Sequence, residues 1–325
     1  MKMKSLWYVG EGQLEIQPVE VPKPGPNEVL VRVEFCGVCT WDLFIYSGGF
    51  RAFKDYPFYF GHEGIGIIDQ VGDQVTKHRP GERVALRESP DIGKAGTGHM
   101  AEYALGHEDS VIALPNDIDR PEHWMVEPVA CCVNAVDLAE IKPGHKIALV
   151  GCGFMGGILL QLLAASPAAI VDVFDVRPDS LRYAKSINGS VSVRVFDSST
   201  QSVSATRDGD YDIVFETAAV ESAFRMANRL VRPGGTLAIF SWHHHSIDFD
   251  FGDWHVRGLR VLNTSPAAAP NFTDCFYRSV SLMSAGIVDL GALVTHEAPP
   301  ESAQELYQDG LSKENGYIKG VIRWR

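Results

Sequence analysis

The sequence predicts an α/β protein in which a doubly wound parallel sheet follows a region rich in short strands. Strand and helix patterns alternate from residue 146 onward, which is typical of a parallel sheet. The glycine-rich segment Gly151–Gly156 lies between the first of these strands and the helix after it. Before residue 115, in contrast, short β-branched segments alternate with turn formers. A length of 325 residues fits about two domains.

The N-terminal part is predicted to be rich in strands. Prolines and a glycine lead into one strand, glycines close a second, and Pro80-Gly81 forms a turn before a third. These strands are predicted at residues 28–34, 64–72 and 83–86. Residues 123–141 then show apolar positions near helical spacing, which predicts one or two helices.

The alternating part follows from residue 146. Strands are predicted at 146–150, 169–174, 191–196, 211–215, 235–241 and 257–263. Helices are predicted at 156–165, 178–187, 221–231, 274–285 and 300–308. Because strands and helices alternate along the chain, the sheet is expected to be parallel and doubly wound.

Composition limits the partners and the compartment. With 29 basic and 41 acidic residues, the net charge is −12, which repels phosphate backbones and anionic membranes. We therefore expect no nucleic-acid or membrane partner. Six cysteines are too few for a disulfide scaffold, and the N-terminus lacks the apolar segment of a signal peptide, so we expect a cytoplasmic protein. Glycines interrupt the uncharged residues 147–171, which favours a buried strand, turn and helix over a membrane span.

The segment Gly151-Cys-Gly153-Phe154-Met155-Gly156 matches the dinucleotide-binding pattern G-x-G-x-x-G. The first glycine allows the tight turn, the second admits a pyrophosphate, and the third lets the helix pack on the strand. The N-terminus of that helix faces the phosphates. The alternative is a glycine turn that only packs helix on sheet. Because a strand precedes the motif and a helix follows it, cofactor binding is favoured.

The next strand ends at Asp175, which is 24 positions after Gly151. A carboxylate there accepts hydrogen bonds from the adenosine ribose and repels a 2′-phosphate, which favours NAD over NADP. Arg177 lies two residues further on and could weaken this preference. The alternative reading of Asp175 is an ordinary strand end.

Three separated segments carry candidate metal ligands, namely Cys39, His62 with Glu63, and Glu127. A thiolate, an imidazole and one or two carboxylates can form a catalytic zinc site with an open position for water or substrate. The spacing is not that of a local zinc finger. Taken singly, each residue has a simpler reading, as a small buried cysteine, a loop histidine or a solvated carboxylate.

The order of Cys39-x-x-Asp42, Gly61-His62-Glu63, Glu127-Pro128 and the glycine motif resembles the zinc-dependent medium-chain dehydrogenase/reductase superfamily. More closely, it resembles the sorbitol and threonine dehydrogenase-like branch. The resemblance implies a Rossmann domain inserted in a chaperonin-10-like β-barrel catalytic domain. It also implies homodimers or homotetramers that form through the Rossmann domain. The expected divisions are residues 1–117 and 265–325 for the catalytic domain and 118–264 for the NAD-binding domain.

The resemblance also implies roles for the candidate ligands. Cys39 and His62 would bind one catalytic zinc ion, and Glu127 or Glu63 would complete the set. Asp42, a carboxylate outside the set of ligands, would orient the His62 ring. Zinc would act as a Lewis acid on the substrate oxygen while hydride passes between the substrate carbon and the nicotinamide.

This chain departs from the family in three places. The family often holds a structural zinc with four cysteines, but residues 88–99 contain no cysteine, so we expect no structural zinc. The family usually has Ser or Thr where this chain has Trp41, and Phe44 stands where some relatives have a relay histidine. Since an indole cannot relay a proton, another route is needed. The candidates are adjacent Thr40, Glu63, Tyr46, a water chain and a histidine.

The third departure is Trp242-His243-His244-His245, which follows the strand 235–241. One of these histidines, with His244 as the candidate, could replace the relay or bind substrate hydroxyls. The alternative is a polar loop that faces solvent or another subunit. Trp41 could also stack on the apolar face of a sugar ring, and one or two of the aromatic residues in the segment 44–60 could line a pocket.

The leading hypothesis is therefore an NAD-dependent zinc enzyme that oxidises a secondary alcohol of a polyol, sugar, cyclitol or amino alcohol, or reduces the corresponding carbonyl. Three alternatives stay open. One is a redox-neutral lyase or epimerase that uses tightly bound NAD for transient oxidation. Another is a zinc-free reductase of the same superfamily. The last, from another class, is a non-catalytic NAD-binding sensor.

Overall fold

The computed structural model describes residues 1–49, 56–87, 98–199 and 208–325. The chain forms two compact units. The first contains Met1–Pro128 together with Leu290–Arg325, and the second contains Val129–Asp289. In sequence, the second unit is thus an insertion within the first.

The N-terminal part of the first unit is mainly β-structure, as the turn formers predict. Its elements are β1 (Lys2–Gly10), β2 (Gln13–Glu20), β3 (Glu28–Val38), α1 (Thr40–Tyr46), β4 (Phe58–Tyr59), β5 (Gly64–Val71), β6 (Arg83–Leu86), β7 (Tyr103–His107) and β8 (Val111–Ala113). Strands β1, β2 and β4 form a small antiparallel sheet with β1 in the middle. Strand β2 was not predicted; it contains Pro18 and lies at an edge of the sheet, where a missing N–H is tolerated.

The alternating part of the chain contains α2 (Val126–Ala139), β9 (Lys146–Val150), α3 (Phe154–Ala164), β10 (Ile170–Asp175), α4 (Pro178–Ser186), β11 (Ser192–Asp197), β12 (Tyr211–Glu216), α5 (Glu221–Leu230), β13 (Val231–Ile239), α6 (Phe251–Arg257), β14 (Arg260–Asn263) and α7 (Phe272–Ser284). The described strands form a parallel sheet in the order β11-β10-β9-β12-β13-β14. This confirms the predicted parallel sheet. The strand order reverses between β9 and β12, which is where doubly wound sheets bind their ligands.

The chain then returns to the first unit through β15 (Val294–Ala298), α8 (Ala303–Ser312) and β16 (Lys319–Arg323). Strands β15 and β16 join the larger sheet of that unit, in the order β15-β16-β3-β5-β6-β8, and β7 also pairs with β3. Long, buried β3 therefore pairs with β5, β7 and β16. As a result, residues from distant parts of the sequence meet at the end of β3.

The uncharged residues 147–171 are divided among β9, α3 and the start of β10, in agreement with the predicted strand, turn and helix. None of the helices in the described ranges has the length and apolar character needed to cross a membrane. Residues 50–55 of the aromatic segment and residues 88–97, where a structural zinc would be expected in relatives, lie outside the described residues.

Candidate functional site

The candidate metal ligands meet at the end of β3 because of strand pairing. In the antiparallel pair of β3 and β5, Cys36 lies opposite Gly64. The Gly37 N–H also donates to the Glu63 carbonyl at 3.2 Å. This pairing brings Cys39, just after β3, next to the two residues that precede β5.

Cys39, His62 and Glu63 form one compact group of donor atoms. The Cys39 sulfur, one His62 ring nitrogen and one Glu63 carboxylate oxygen all lie within 4.8 Å of one another. His62 is 7% exposed and Glu63 is 2% exposed, while Cys39 is half-buried. The structure therefore brings together three of the four predicted ligands.

Gly37 leaves the space that the Glu63 carboxylate occupies. A Cβ atom at residue 37 would overlap Glu63 Oε2 and would lie 2.5 Å from Met125 Sδ. Any side chain at this position would therefore displace the carboxylate. The structure thus gives a steric reason for a glycine two residues before the candidate ligand Cys39.

The buried residue Lys319 pairs with Glu63, which the sequence analysis did not foresee. Lys319 Nζ donates to Glu63 Oε1 at 2.7 Å and lies 2.5 Å from Oε2. Pairing of β16 with β3 sets Gly320 opposite Val38 and so brings the lysine to this end of β3. The two partners are 256 residues apart in the sequence, and no local motif signals the contact.

Charges at the site shift the pKa values of these groups. Burial raises the pKa of the Cys39 thiol, while His62 opposes the shift. Burial alone would lower the pKa of His62, but the Cys39 thiolate, Asp42 and Glu127 raise it well above its ordinary value. Burial would likewise lower the pKa of Lys319, but Glu63 and Cys39 raise it. The site is thus rich in negative charge and favours cations.

These residues fit a zinc ion. Thiolate, imidazole and carboxylate are ligands that zinc accepts in catalytic sites. The buried His62 Nδ1 has no hydrogen-bond partner among the residues that the structure describes, although such atoms are normally paired. An unpaired nitrogen on a buried ring whose neighbours are a thiol and a carboxylate fits a metal centre better than a packed core.

Asp42 interacts with the candidate ligands but is not one of the three grouped donors. Its Oδ2 accepts a hydrogen bond from the Cys39 backbone N–H at 2.7 Å, and its Oδ1 accepts one from the Tyr8 hydroxyl at 3.2 Å. Tyr8 and Tyr307 share a further hydroxyl hydrogen bond of 2.9 Å. Burial raises the pKa of Asp42 to about 6. The predicted influence of Asp42 on His62 is electrostatic here, while its hydrogen bonds hold Cys39.

Glu127, the other predicted carboxylate ligand, lies in the first turn of α2. It is half-buried and near enough to raise the pKa of His62, but it does not belong to the compact group of three donors. The geometry therefore favours Glu63 over Glu127 as the third ligand.

The predicted proton-transfer residues have different surroundings. Thr40 is exposed at the start of α1. Trp41 is half-buried and stacks on Phe44, with ring centroids 5.9 Å apart. The buried Tyr46 hydroxyl accepts a hydrogen bond from Gln304 Nε2 at 2.5 Å. Tyr46 is thus already engaged within its unit.

The glycine motif of the second unit has the geometry expected of a dinucleotide site. Gly151 has φ of +95°, which glycine adopts without strain. A Cβ at Gly156 would collide with the Gly151 carbonyl, so the third glycine is needed for close packing. A Cβ at Gly153, in contrast, meets no atom within 4 Å. The backbone at Gly153, at the N-terminus of α3, therefore has open space beside it, as the predicted approach of a pyrophosphate requires.

The Asp175 carboxylate is hydrogen-bonded to the loop of the glycine motif. Its Oδ2 accepts a hydrogen bond from Cys152 N at 2.6 Å, and its Oδ1 accepts from Val176 N and Arg177 N at 2.7 and 2.8 Å. The carboxylate thus links the end of β10 to the motif, which is the position predicted for a ribose-binding group. Within the motif, Phe154 is buried and Met155 is half-buried.

The histidine segment is anchored through His243. The fully buried Glu216, at the end of β12, lies 2.9 Å from His243 Nε2 and also accepts a hydrogen bond from the Ser241 hydroxyl. His244, the predicted catalytic histidine, packs edge-on against Trp242 with ring centroids 4.3 Å apart. Burial, then His245 and His243, lowers the pKa of His244. Of the three histidines, it is therefore His243 that pairs with the Glu216 carboxylate.

Comparison with known proteins gives a consistent result. The chain matches the alcohol dehydrogenase GroES-like domain over residues 25–116 and the zinc-binding dehydrogenase model over residues 155–283. It is 29% identical to the zinc-type alcohol dehydrogenase-like protein YdjJ of Escherichia coli strain K12, with 96% of each chain covered. It is 26% identical to the sorbitol dehydrogenase of Bacillus subtilis strain 168, with 98% of this chain and 97% of that protein covered.

A solved structure extends the likeness to three dimensions. An NADP-bound protein from Sinorhizobium meliloti 1021 superposes with a TM-score of 0.86 at 25% identity, over 99% of both chains. A GroES-like region and a Rossmann-like sheet in one chain define an oxidoreductase of the alcohol dehydrogenase class. The chain belongs to the zinc-type medium-chain dehydrogenase superfamily. This confirms the family and the fold class predicted from the sequence.

Proposed function

We propose that this protein is a zinc- and NAD-dependent dehydrogenase that acts on a secondary alcohol of a polyol, sugar, cyclitol or amino alcohol. The observation that carries the proposal is the compact group of Cys39, His62 and Glu63. A non-catalytic dinucleotide-binding protein would have no need of this buried donor set. The sorbitol dehydrogenase relative supports a polyol-type substrate.

In this proposal Cys39, His62 and Glu63 hold one zinc ion, and Asp42 secures Cys39 through its hydrogen bond to the backbone. When bound, zinc supplies a Lewis acid for the substrate oxygen and NAD supplies the hydride acceptor. Glu127, whose charge raises the pKa of His62, is the alternative third ligand. Trp41, two residues after Cys39 in the sequence, would offer an aromatic face for the apolar side of a polyol or sugar.

We propose NAD rather than NADP as the cofactor. Asp175 keeps a carboxylate at the end of β10, where it would bind the ribose hydroxyls and repel a 2′-phosphate. The NADP-bound relative shows that the superfamily also uses the other cofactor. Arg177 lies beside Asp175 and gives this chain a cation that could reduce the discrimination.

The route of the alcohol proton stays a prediction. Trp41 has no group that can relay a proton, and both Glu63 and Tyr46 already have partners within their unit. We therefore retain one histidine of the segment His243–His245, or a water chain, as the proposed acceptor. A histidine is suited to this role because its ordinary pKa is near neutral.

We also propose that the protein forms homodimers or homotetramers. Strand β14 lies at the edge of the parallel sheet within the described residues, and an edge strand can pair with a second copy. Sedimentation of the purified protein will measure the state directly.

The experiment that tests the function measures NADH formation by the purified, zinc-loaded protein on a panel of polyols, sugars, cyclitols and amino alcohols. We expect turnover of at least one secondary alcohol with NAD, weaker turnover with NADP, and none for Cys39→Ser. Substrate conversion without net NADH would support the redox-neutral alternative. Zinc binding without conversion of any panel member would instead support the sensor.

A further inference from the structure

The Asp42 carboxylate is held by hydrogen bonds to both of its oxygens. The residue is fully buried, and a buried carboxylate is costly to keep ionised unless donors hydrogen-bond to it. The Cys39 backbone N–H donates to Oδ2 at 2.7 Å, and the Tyr8 hydroxyl donates to Oδ1 at 3.2 Å. One oxygen therefore contacts a candidate metal ligand, while the other contacts a tyrosine of β1.

A second buried tyrosine extends this set of hydrogen bonds. The hydroxyl oxygens of Tyr8 and Tyr307 lie 2.9 Å apart, and both residues are fully buried. A phenol has one proton to donate, and Tyr8 donates its proton to Asp42, so Tyr307 must donate to the Tyr8 oxygen. The hydrogen bonds thus run in one direction, from Tyr307 in α8 through Tyr8 in β1 to Asp42.

Ring packing holds the two tyrosines in place apart from their hydroxyls. The Tyr8 ring packs against Phe58 with ring centroids 5.5 Å apart. The Tyr307 ring meets Tyr8 and Tyr46 edge-on, with centroids 6.1 and 5.4 Å away. Phenylalanine can keep these ring contacts, so a change from tyrosine to phenylalanine removes mainly the hydrogen bonds.

This inference rests on the metal site proposed above and adds two residues to it. We propose that Tyr8 and Tyr307 are positioning residues that hold Asp42, and through Asp42 hold Cys39, in the arrangement that binds the metal. A ligand whose backbone is fixed in advance loses less conformational freedom when the metal binds. The two tyrosines are 299 residues apart in the sequence, so strands and helices from both ends of the chain would support one ligand.

The test is a double-mutant cycle on zinc affinity with Tyr8→Phe and Tyr307→Phe. We expect Tyr8→Phe to weaken zinc binding about tenfold, the lower end of what partners outside the ligand set contribute. Tyr307→Phe should weaken it less, by about threefold, because its hydroxyl acts through that of Tyr8. The double variant should match Tyr8→Phe within about twofold, since Tyr307 has then lost the group through which it acts.

Two readouts separate positioning of the ligand from general stability. Zinc affinity is measured by competition with a chromophoric chelator. Alkylation of the metal-free protein reports on Cys39 without any metal, because Cys39 is half-buried while the other five cysteines are buried. Mass spectrometry of the peptides assigns the modified cysteine, and Cys39 should react faster in Tyr8→Phe than in the wild type.

Tyr211→Phe is the matched control. It also removes the hydroxyl of a fully buried tyrosine that donates to a fully buried carboxylate, that of Asp172, but both residues belong to the second unit. Thermal unfolding measures the stability that each variant loses. Tyr211→Phe should keep the zinc affinity and the Cys39 alkylation rate of the wild type.

Three results would overturn the inference. The first is wild-type zinc affinity in Tyr8→Phe, or in Tyr307→Phe if Tyr8→Phe does not fold. The second is an equal loss of zinc affinity in Tyr211→Phe, because lower stability would then explain the effect. The third is additive losses in the double variant, because the hydroxyls would then act separately.

Failure of the proposed function gives a different result. The wild type and Cys39→Ser would then bind zinc equally poorly. The alkylation rates of the metal-free proteins would still test the link from Tyr8 to Cys39, and equal rates in Tyr8→Phe and the wild type would contradict it.

Discussion

At the scale of single residues, the space around Gly37 determines whether Glu63 can reach the candidate metal centre. Since a Cβ at residue 37 would overlap the Glu63 carboxylate, Gly37→Ala should weaken zinc binding at least about tenfold. Overpacking should also lower the free energy of unfolding by about 1–3 kcal/mol. Zinc content after dialysis and chemical unfolding measure the two effects. Wild-type zinc content in this variant would contradict the proposed role of Glu63.

His99 should make the unfolding free energy of this protein depend on pH. Its Nδ1 accepts a hydrogen bond from Gly64 N at 3.1 Å, and burial, then His62, lowers its pKa from 6.5 to about 3. Below pH 6.5 the unfolded chain binds a proton at this residue while the folded chain does not. His99 therefore costs stability as the pH falls from 6.5 toward 3, by about 2 kcal/mol between pH 7 and pH 5.

His99→Asn tests this pH dependence, because an amide oxygen can accept the same hydrogen bond without titrating. Chemical unfolding is measured at pH 7 and pH 5 with a chelator present, so that metal release does not contribute. We expect the wild type to lose about 2 kcal/mol more than the variant on acidification. Equal losses would show that the buried imidazole is not the cause.

At the scale of elements, glycine substitutions at the start of α3 can distinguish an effect on cofactor binding from an effect on stability. Gly153→Ala should leave the thermal stability unchanged, because its Cβ would meet no atom within 4 Å. It should weaken NADH binding at least about tenfold, since the backbone could no longer approach the pyrophosphate. Fluorescence titration with NADH measures the affinity. Gly156→Ala is the matched contrast, because it should lower stability by collision with the Gly151 carbonyl.

Unchanged NADH affinity in Gly153→Ala would contradict the assignment of this loop to the cofactor. Reduced stability with unchanged affinity would contradict it as well, since the glycine would then serve packing alone.

The ends of β12 and β13 are joined through Glu216. This carboxylate accepts hydrogen bonds from Ala218 N and Ala219 N at 2.8 and 3.0 Å, as well as from the side chains after β13. Glu216→Ala should cost about 2–4 kcal/mol of unfolding free energy, because it removes a fully buried carboxylate and leaves several part-buried donors without their acceptor. His243→Ala should cost only about 1 kcal/mol, since Glu216 keeps its other donors. Thermal unfolding gives both values, and the reverse order would contradict this account.

At the scale of the whole molecule, the sequence was most informative where signals are local. The glycine motif, the strand before it and the helix after it lie within about twenty residues, so spacing alone predicted β9 and α3. The strand 235–241 was less well placed, because β13 begins at Val231 and ends at Ile239. Helix α1 was missed, since it is a single short helix of seven residues.

The candidate site could be predicted only in part, because its geometry depends on contacts between segments that are far apart in the sequence. Cys39, His62 and Glu63 were proposed from separate motifs and a resemblance, but their proximity results from the pairing of β3 with β5. Lys319 lies 256 residues from Glu63, and a single lysine in a strand carries no signal that it will be buried. The preference for Glu63 over Glu127 likewise required side-chain distances.

Zinc titration of the metal-free protein, with the rate of NADH formation recorded at each step, tests the central claim most directly. We expect activity to rise from zero and to saturate at one zinc per chain, while Cys39→Ser stays inactive throughout. Saturation at two zinc ions per chain would contradict the expectation of no structural zinc. Full activity before zinc is added would contradict the proposed role of Cys39, His62 and Glu63.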